Sequence, residues 1–176
     1  DVLLTGATGF LGVHVLNEII KHTQSKVYCL VRKGKANSIE SRLKNMLVYY
    51  FSDGMDDLFG KRIIPIEGDI TDKEIVSSLE KYDFKTVINC AACVKHFTND
   101  DTLERINVHG VENLISMCIK TGRRLVQIST TSVAGVNVNR KFPPEKKIHE
   151  NELYFGQDLT NKYIDTKFRG EKAVLE

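Results

Sequence analysis

Tyr163 and Lys167 stand four residues apart in the stretch Tyr163-Ile164-Asp165-Thr166-Lys167. On a helix, residues at that spacing share a face. The lysine then sits beside the phenol ring, and its positive charge would stabilise a phenolate. Such a tyrosine can donate a proton to a carbonyl oxygen while a hydride reaches the carbon. Upstream, Ile128-Ser129-Thr130-Thr131-Ser132-Val133-Ala134-Gly135 gathers four hydroxyls directly after an apolar run. A hydroxyl from that group would hold the same oxygen. A tyrosine–lysine pair alone is most often an accident of a helix surface, so its meaning depends on what else the chain supplies.

The chain supplies a glycine loop at its start. Val2-Leu3-Leu4 runs into Thr5-Gly6-Ala7-Thr8-Gly9-Phe10-Leu11-Gly12, and an apolar helical pattern follows. Glycine has no Cβ, so the turn can be tight and a ligand can touch the backbone. N–H groups at the helix start then face a phosphate, which the helix dipole also favours. The pyrophosphate of a dinucleotide meets both conditions. Thr5, Gly6, Thr8, Gly9, Phe10, Leu11 and Gly12 are therefore candidate cofactor contacts.

The second apolar run ends in Leu30-Val31-Arg32-Lys33, with Arg32 20 residues beyond Gly12. NAD-binding domains usually place an acid there for the ribose 2′-OH. A guanidinium suits a 2′-phosphate by charge and by fork geometry, so NADP(H) is the expected cofactor. Arg42 can add a second contact. In Glu67-Gly68-Asp69-Ile70, Asp69 and Ile70 would line the same crevice. Asp69 would either meet the adenine edge or cap the next helix, a task Thr71 or Asp72 can also perform. In Asn89-Cys90-Ala91-Ala92, the small Ala91 and Ala92 would let the cofactor lie across the sheet edge.

These residues need a frame. Apolar runs recur at Val2-Leu3-Leu4, Val27 to Val31, Ile63 to Ile66, Thr86 to Cys90 and Leu125 to Ile128. Near-continuous apolar strands fit a parallel sheet covered on both faces. Between them lie helical stripes: Leu11, Val15 and Ile19; Ile39, Leu43 and Leu47; Ile75, Val76 and Leu79; and Leu103, Val111, Leu114, Ile115 and Cys118, with Gly122 as a stop. Strand and helix alternate through five strands, then come a loop and a last helix. The pattern predicts an α/β, Rossmann-type doubly wound parallel sheet with helices on both faces. Residues 136 to 158 read as a long polar loop containing Pro143-Pro144, either mobile or substrate-facing.

With 176 residues the chain can bury one sizeable core. Its net charge of +2 is too small to suggest a nucleic-acid partner. No apolar run is long enough to span a membrane. Four cysteines scattered through apolar segments suggest reduced thiols in a cytoplasmic protein. Cys90-Ala91-Ala92-Cys93 spells C-x-x-C, but no second pair or suitably spaced histidine accompanies it. It reads as small residues at a strand end, and no metal site is expected.

Taken together, these motifs resemble the extended short-chain dehydrogenase/reductases, and within them the thioester reductase-like group. That group includes terminal reductase domains of nonribosomal peptide synthetases, carboxylic acid reductases and fatty acyl-CoA reductases. The residues carrying the likeness are Thr5 to Gly12, Leu30-Val31-Arg32, Gly68-Asp69-Ile70, Asn89 to Ala92, Ile106-Asn107-Val108-His109-Gly110, Ser129 to Gly135 and Tyr163 to Lys167. Tyr49-Tyr50-Phe51 and Val94-Lys95-His96-Phe97 favour the subgroup. The resemblance implies Thr130 as the catalytic hydroxyl, at the family's spacing of five residues before Gly135. It implies Tyr163 as the acid and Lys167 as its partner, both also touching the cofactor. Asn107 would hold a water or a backbone carbonyl near the cofactor, or would simply pack in the sheet crevice.

The implied activity is NADPH-dependent reduction of an acyl thioester, carried on phosphopantetheine or coenzyme A, to an aldehyde or onward to an alcohol. The chain, 1–176, would be the NADP-binding domain of a larger multidomain enzyme, lacking the carboxy-terminal substrate subdomain. Two other readings remain: a nucleotide-sugar or steroid-type epimerase/dehydrogenase, against which Arg32 argues, and a non-catalytic NADP-binding domain, for which the Thr130, Tyr163 and Lys167 set is unnecessary.

Overall fold

A computed structural model describes residues 1–34, 38–94, 101–135, 145, 147–149 and 152–176. Lys95-His96-Phe97 and much of the expected 136–158 loop, including Pro143-Pro144, lie outside the described residues. Strand β1 is Val2–Thr5, β2 Val27–Val31, β3 Ile63–Glu67, β4 Thr86–Asn89 and β5 Arg124–Gln127. All pair in parallel in the order β3-β2-β1-β4-β5. The Rossmann-type sheet is thus as the alternating runs predict. Cys90 and Ile128 fall just past their strands, where the chain turns into loops.

Helices cover both faces because successive strand residues point opposite ways. Leu4, Val27, Cys29 and Val31 pack with α1 (Phe10–His22) and α2 (Ile39–Phe51) through Val13, Leu16, Ile20, Leu43 and Leu47. Leu3, Leu30 and Val87 point the other way. They meet α3 (Lys73–Ser78) and α5 (Gly110–Thr121) through Val76, Leu114, Met117 and Cys118. Each fully buried leucine contributes roughly 1.5–3 kcal/mol. Gly122 ends α5 at φ +67°, the stop its sequence position suggests.

Two expectations need correction. The α1 stripe is not Leu11, Val15 and Ile19: Leu11 is 43% exposed, Val15 and Ile19 flank the core, and Val13, Leu16 and Ile20 fill it. The cause is Gly12, which turns inward against Gly6 and fixes the helix rotation. Nor is β5 covered on both sides. It is the sheet edge among the described strands, and Val126 on it is 39% exposed.

Thr102–Glu104 (α4) leads into a π-helical turn at Arg105–His109 and then into α5. The last helix, α6, is Lys162–Leu175, with the Asn161 side chain accepting from the Tyr163 and Ile164 N–H groups. That cap sets where the Tyr–Lys face begins. At the opposite end of the sheet, Arg62 donates to the carbonyls of Ile20, Thr23 and Ser25, closing the end of α1.

Candidate active site

The chain turns at Gly6, φ +70°, directly after β1. A Cβ there would lie 2.6 Å from the Ala91 nitrogen and the Cys90 carbonyl carbon, so only glycine fits against the loop after β4. A Cβ on Gly12 would overlap the Gly6 carbonyl. First and third glycines therefore serve the chain's own packing. The middle one, Gly9, is the exposed residue that opens α1, and no side chain caps the helix there. Helix geometry leaves the first-turn N–H groups without intrahelical acceptors, so they are available to an anion.

A cleft of about 300 Å³ opens at this point. It sits where the strand order reverses between β1 and β4, outside the carboxyl ends of the strands. Thr5, Gly6, Thr8, Gly9, Arg32, Arg42, Asp69, Ile70, Ala91 and Ala92 line it together, joined by Leu30, Gly68, Cys90 and Ile106. Ten expected residues, spread over positions 5 to 92, thus meet in one cavity. Phe10 and Leu11 do not line it. Phe10 is 67% exposed and stacks on His14 and Tyr50 at ring separations of 4.7 and 5.7 Å.

Arg32 projects from the end of β2, 64% exposed at its side chain, with Asp69 3.9 Å away. Arg42 reaches back from α2 and donates to the Arg32 carbonyl. Both arginines line the cleft. Asp69 accepts from the Thr71 N–H at 2.9 Å, while Asp72 caps α3 by accepting from Glu74 and Ile75. Asp69 is therefore not the helix cap and keeps an edge toward the cleft.

A chain of buried polar side chains joins the strand ends. Thr5 Oγ1 donates to Asn89 Oδ1, which also accepts from the Ala91 N–H at 3.2 Å. Asn89 Nδ2 donates to Gln127 Oε1 at 2.8 Å, and Gln127 Nε2 to the Ile128 carbonyl at 3.0 Å. That carbonyl also accepts from Lys167 Nζ at 2.7 Å. One continuous network thus runs from the glycine turn to α6. Asn89 is completely buried, and its amide is the hinge of the network. The sequence marks neither Asn89 nor Gln127 as a site residue, since an amide at a strand end has no distinguishing pattern.

Lys167 is only 6% exposed, and burial holds its amine below the ordinary lysine range, with Glu171 and Cys90 acting the other way. Burial pushes the Cys90 thiol up to about 11 despite the nearby Lys167 charge, so at neutral pH it is a neutral thiol. Tyr163, one turn before Lys167, is buried at 9% exposure beside Cys93, Leu103 and Ile164. Thr130 opens a short 3₁₀ turn, Thr131–Ala134, its hydroxyl accepting from the Ser132 N–H at 3.2 Å. α6 packs on that turn. Thr130 thus lies two residues past the carbonyl that anchors Lys167.

Asn107 lies in the π turn and not in the cleft lining. Its side chain accepts from the Cys93 N–H at 2.8 Å and donates to the Cys93 carbonyl at 3.0 Å and to Thr166 at 3.2 Å. Of the roles considered for it, holding a backbone carbonyl is the one seen. A Cβ at Gly170 would overlap the Asn107 carbonyl, so that glycine lets α6 seat against the π turn. Gln157 performs a similar task, donating to the carbonyls of Val133 and Leu153. The four cysteines are free thiols, and among the described residues no cluster of ligands could hold a metal ion. Nor is any described helix long and apolar enough to cross a membrane.

A parallel sheet with a glycine turn at its switch point has the form of a dinucleotide-binding domain. The family model described as male sterility protein, an NAD-binding family, matches residues 4–176, and the chain belongs to that family. It is similar to a thiolation-reductase di-domain from an archaeal non-ribosomal peptide synthetase. The identity is 48% over 99% of this chain and 37% of that one, with a TM-score of 0.89. It is also similar to the terminal R domain of the myxalamid PKS-NRPS pathway, at 28% identity over 98% of this chain and 44% of that one, TM-score 0.77. A linear gramicidin synthase of Brevibacillus parabrevis is 30% identical over 98% of this chain but only 3% of its own length. The chain therefore spans less than half of each relative. The resemblance to the reductase domains of peptide and polyketide synthases holds, and the fold is the Rossmann-type one they share.

Proposed function

We propose that this chain is the cofactor-binding domain of an NADPH-dependent reductase that releases a carrier-bound acyl thioester as an aldehyde. The observation that carries the reading is the cleft lined by both Arg32 and Arg42 and joined, through Asn89 and Gln127, to Lys167. The cavity and its uncapped helix start fit a pyrophosphate, and the paired guanidiniums fit a 2′-phosphate. Supporting a carrier-bound thioester is the similarity to a thiolation-reductase di-domain.

When bound, the nicotinamide supplies a hydride to the thioester carbonyl carbon; the carbonyl oxygen takes the electron pair, and its return expels the thiolate to leave an aldehyde. Thr130 donates to that oxygen through its hydroxyl, and Tyr163 does so through its phenol. Lys167, charged and fixed by the Ile128 carbonyl, would stabilise the phenolate while Tyr163 lends its proton to that oxygen, the proton returning to Tyr163 as the oxygen's electron pair expels the thiolate. Gly9 keeps the backbone bare where the pyrophosphate would approach, and Gly6 and Gly12 hold the turn that presents it. Asp69 and Ile70 shape the adenine side, with Ala91 and Ala92 leaving room across the sheet edge.

The test is reduction by the full-length protein, with NADPH, of one acyl group presented on a phosphopantetheine carrier or on coenzyme A. Aldehyde formation from the carrier-bound substrate is expected. Tyr163→Phe should lower kcat by about 10²–10⁴-fold while NADPH binding stays within about twofold. Activity only with NAD and a nucleotide sugar or steroid would replace this reading by the epimerase/dehydrogenase one. Tight NADPH binding with no turnover of any thioester would leave a binding domain.

A further inference from the structure

Lys167 raises a physical difficulty that the reductase reading leaves open. An ammonium almost out of water needs hydrogen-bond acceptors and an opposite charge close by. The Ile128 carbonyl, 2.7 Å from Nζ, gives an acceptor but no charge. Glu171 lies one helical turn beyond Lys167 on the same face of α6. Its carboxylate accepts from the Ser129 hydroxyl. Ser129 directly follows Ile128, so lysine and glutamate are tied to consecutive residues of the segment after β5. Tyr163, Lys167 and Glu171 follow one another at four-residue spacing, and the last two bond to that segment.

We propose that Glu171, held by Ser129, is a positioning residue that keeps the Lys167 ammonium charged and seated at the Ile128 carbonyl. This rests on the Tyr163–Lys167 reading above. The Glu171 carboxylate acts on Lys167 against its burial. His149 and Glu152 line the cavity that Ser129 and Glu171 also line, but among the described residues only Glu171 and Cys90 act on Lys167. Cys90, at the end of β4, faces Lys167 as a neutral thiol. Asp165 and Glu104 are engaged by Arg169, at 3.0 and 2.7 Å. In the π turn, Arg105 pairs with Asp101 and His109 with Glu112 of α5. Thr131–Ala134 contains no titratable side chain. Lys162 and Lys172 on α6 are exposed, the latter 3.4 Å from Glu176.

The test measures the lysine itself. In the full-length protein, trace acetylation with acetic anhydride across a pH series, read by mass spectrometry on the Lys167 peptide, gives the midpoint of its amine. Glu171→Gln should lower that midpoint by about one pH unit, a tenfold change in proton affinity, with Glu171→Asp restoring part of it. Ser129→Ala, which frees the carboxylate without removing it, should give a smaller drop, and it carries the test if Glu171→Gln does not fold. Equal midpoints in wild type and variants overturn the proposal. The measurement needs no turnover, so failure of thioester reduction would sink the proposed function without touching this result. Where reduction is measurable, the alkaline limb of the kcat profile should move down with the midpoint; a uniform loss at every pH indicates a structural role only and overturns the proposal.

Discussion

Arg32→Ala tests cofactor choice at the one position where a phosphate and a hydroxyl would be told apart. In the free protein the Arg32 side chain is 64% exposed and 3.9 Å from Asp69, too far for a hydrogen bond. An exposed pair of that kind is worth less than about 1 kcal/mol, so turning Arg32 to a phosphate costs little. Charge-assisted hydrogen bonds to a 2′-phosphate contribute about 1.5–3 kcal/mol. Exposure and the neighbouring Arg42 pull the net toward the lower end, about 1.5 kcal/mol, or slightly over tenfold in Kd. Titration calorimetry with NADPH and with NADH should show that loss for NADPH and less than about twofold change for NADH. Arg42→Ala should weaken NADPH in the same selective way but less, because Arg42 also spends a donor on the Arg32 carbonyl. Equal losses for both cofactors, or a wild type that prefers NADH, would refute the reasoning, because a phosphate-reading arginine can discriminate only through the phosphate.

Three further outcomes bear on the frame. Asn89→Ala should destabilise by about 1–3 kcal/mol in urea unfolding, because the Thr5 hydroxyl, the Ala91 N–H and the Gln127 amide lose their shared partner. Gly12→Ala should cost at least about 1–3 kcal/mol and weaken both cofactors alike, since the added methyl collides with the Gly6 carbonyl and displaces the glycine turn. Glu104→Gln tests a charge pair. Arg169 bonds the Glu104 carboxylate and holds it below the ordinary carboxylate range. Such a group stabilises the fold above its unfolded value and loses that contribution as pH falls through the lowered folded value. The pair is partly exposed, so the wild-type advantage at pH 7 should be about 0.5–1 kcal/mol and should fade below about pH 4, read as the difference in thermal unfolding between the two proteins.

What the sequence determined is what depends on neighbours in the chain. Apolar runs of strand length alternating with helical stripes specify a parallel sheet, because only crossover helices connect parallel strands. The glycine turn is legible because three bare positions between a strand and a helix are a local backbone requirement. Tyr163 and Lys167 share a face by helix geometry alone. Tertiary structure decided what depends on residues far apart in the chain. Asn89 and Gln127 acquire their roles only when β1, β4 and β5 lie in register, Thr5 beside Asn89 and Asn89 beside Gln127. The buried face of α1 is set by Gly12 against Gly6, a helix rotation that the apolar pattern leaves open by a fraction of a turn. Asp72 rather than Asp69 caps α3 because a cap is defined by where the backbone turns, and three nearby oxygens were chemically equal candidates. The Ser129–Glu171 contact spans 42 residues of chain, and nothing in either residue's neighbourhood announces it. A hydrogen bond needs angstrom placement, whereas a hydrophobic face needs only periodicity. The layers were therefore readable in advance, and the polar network that links them was not.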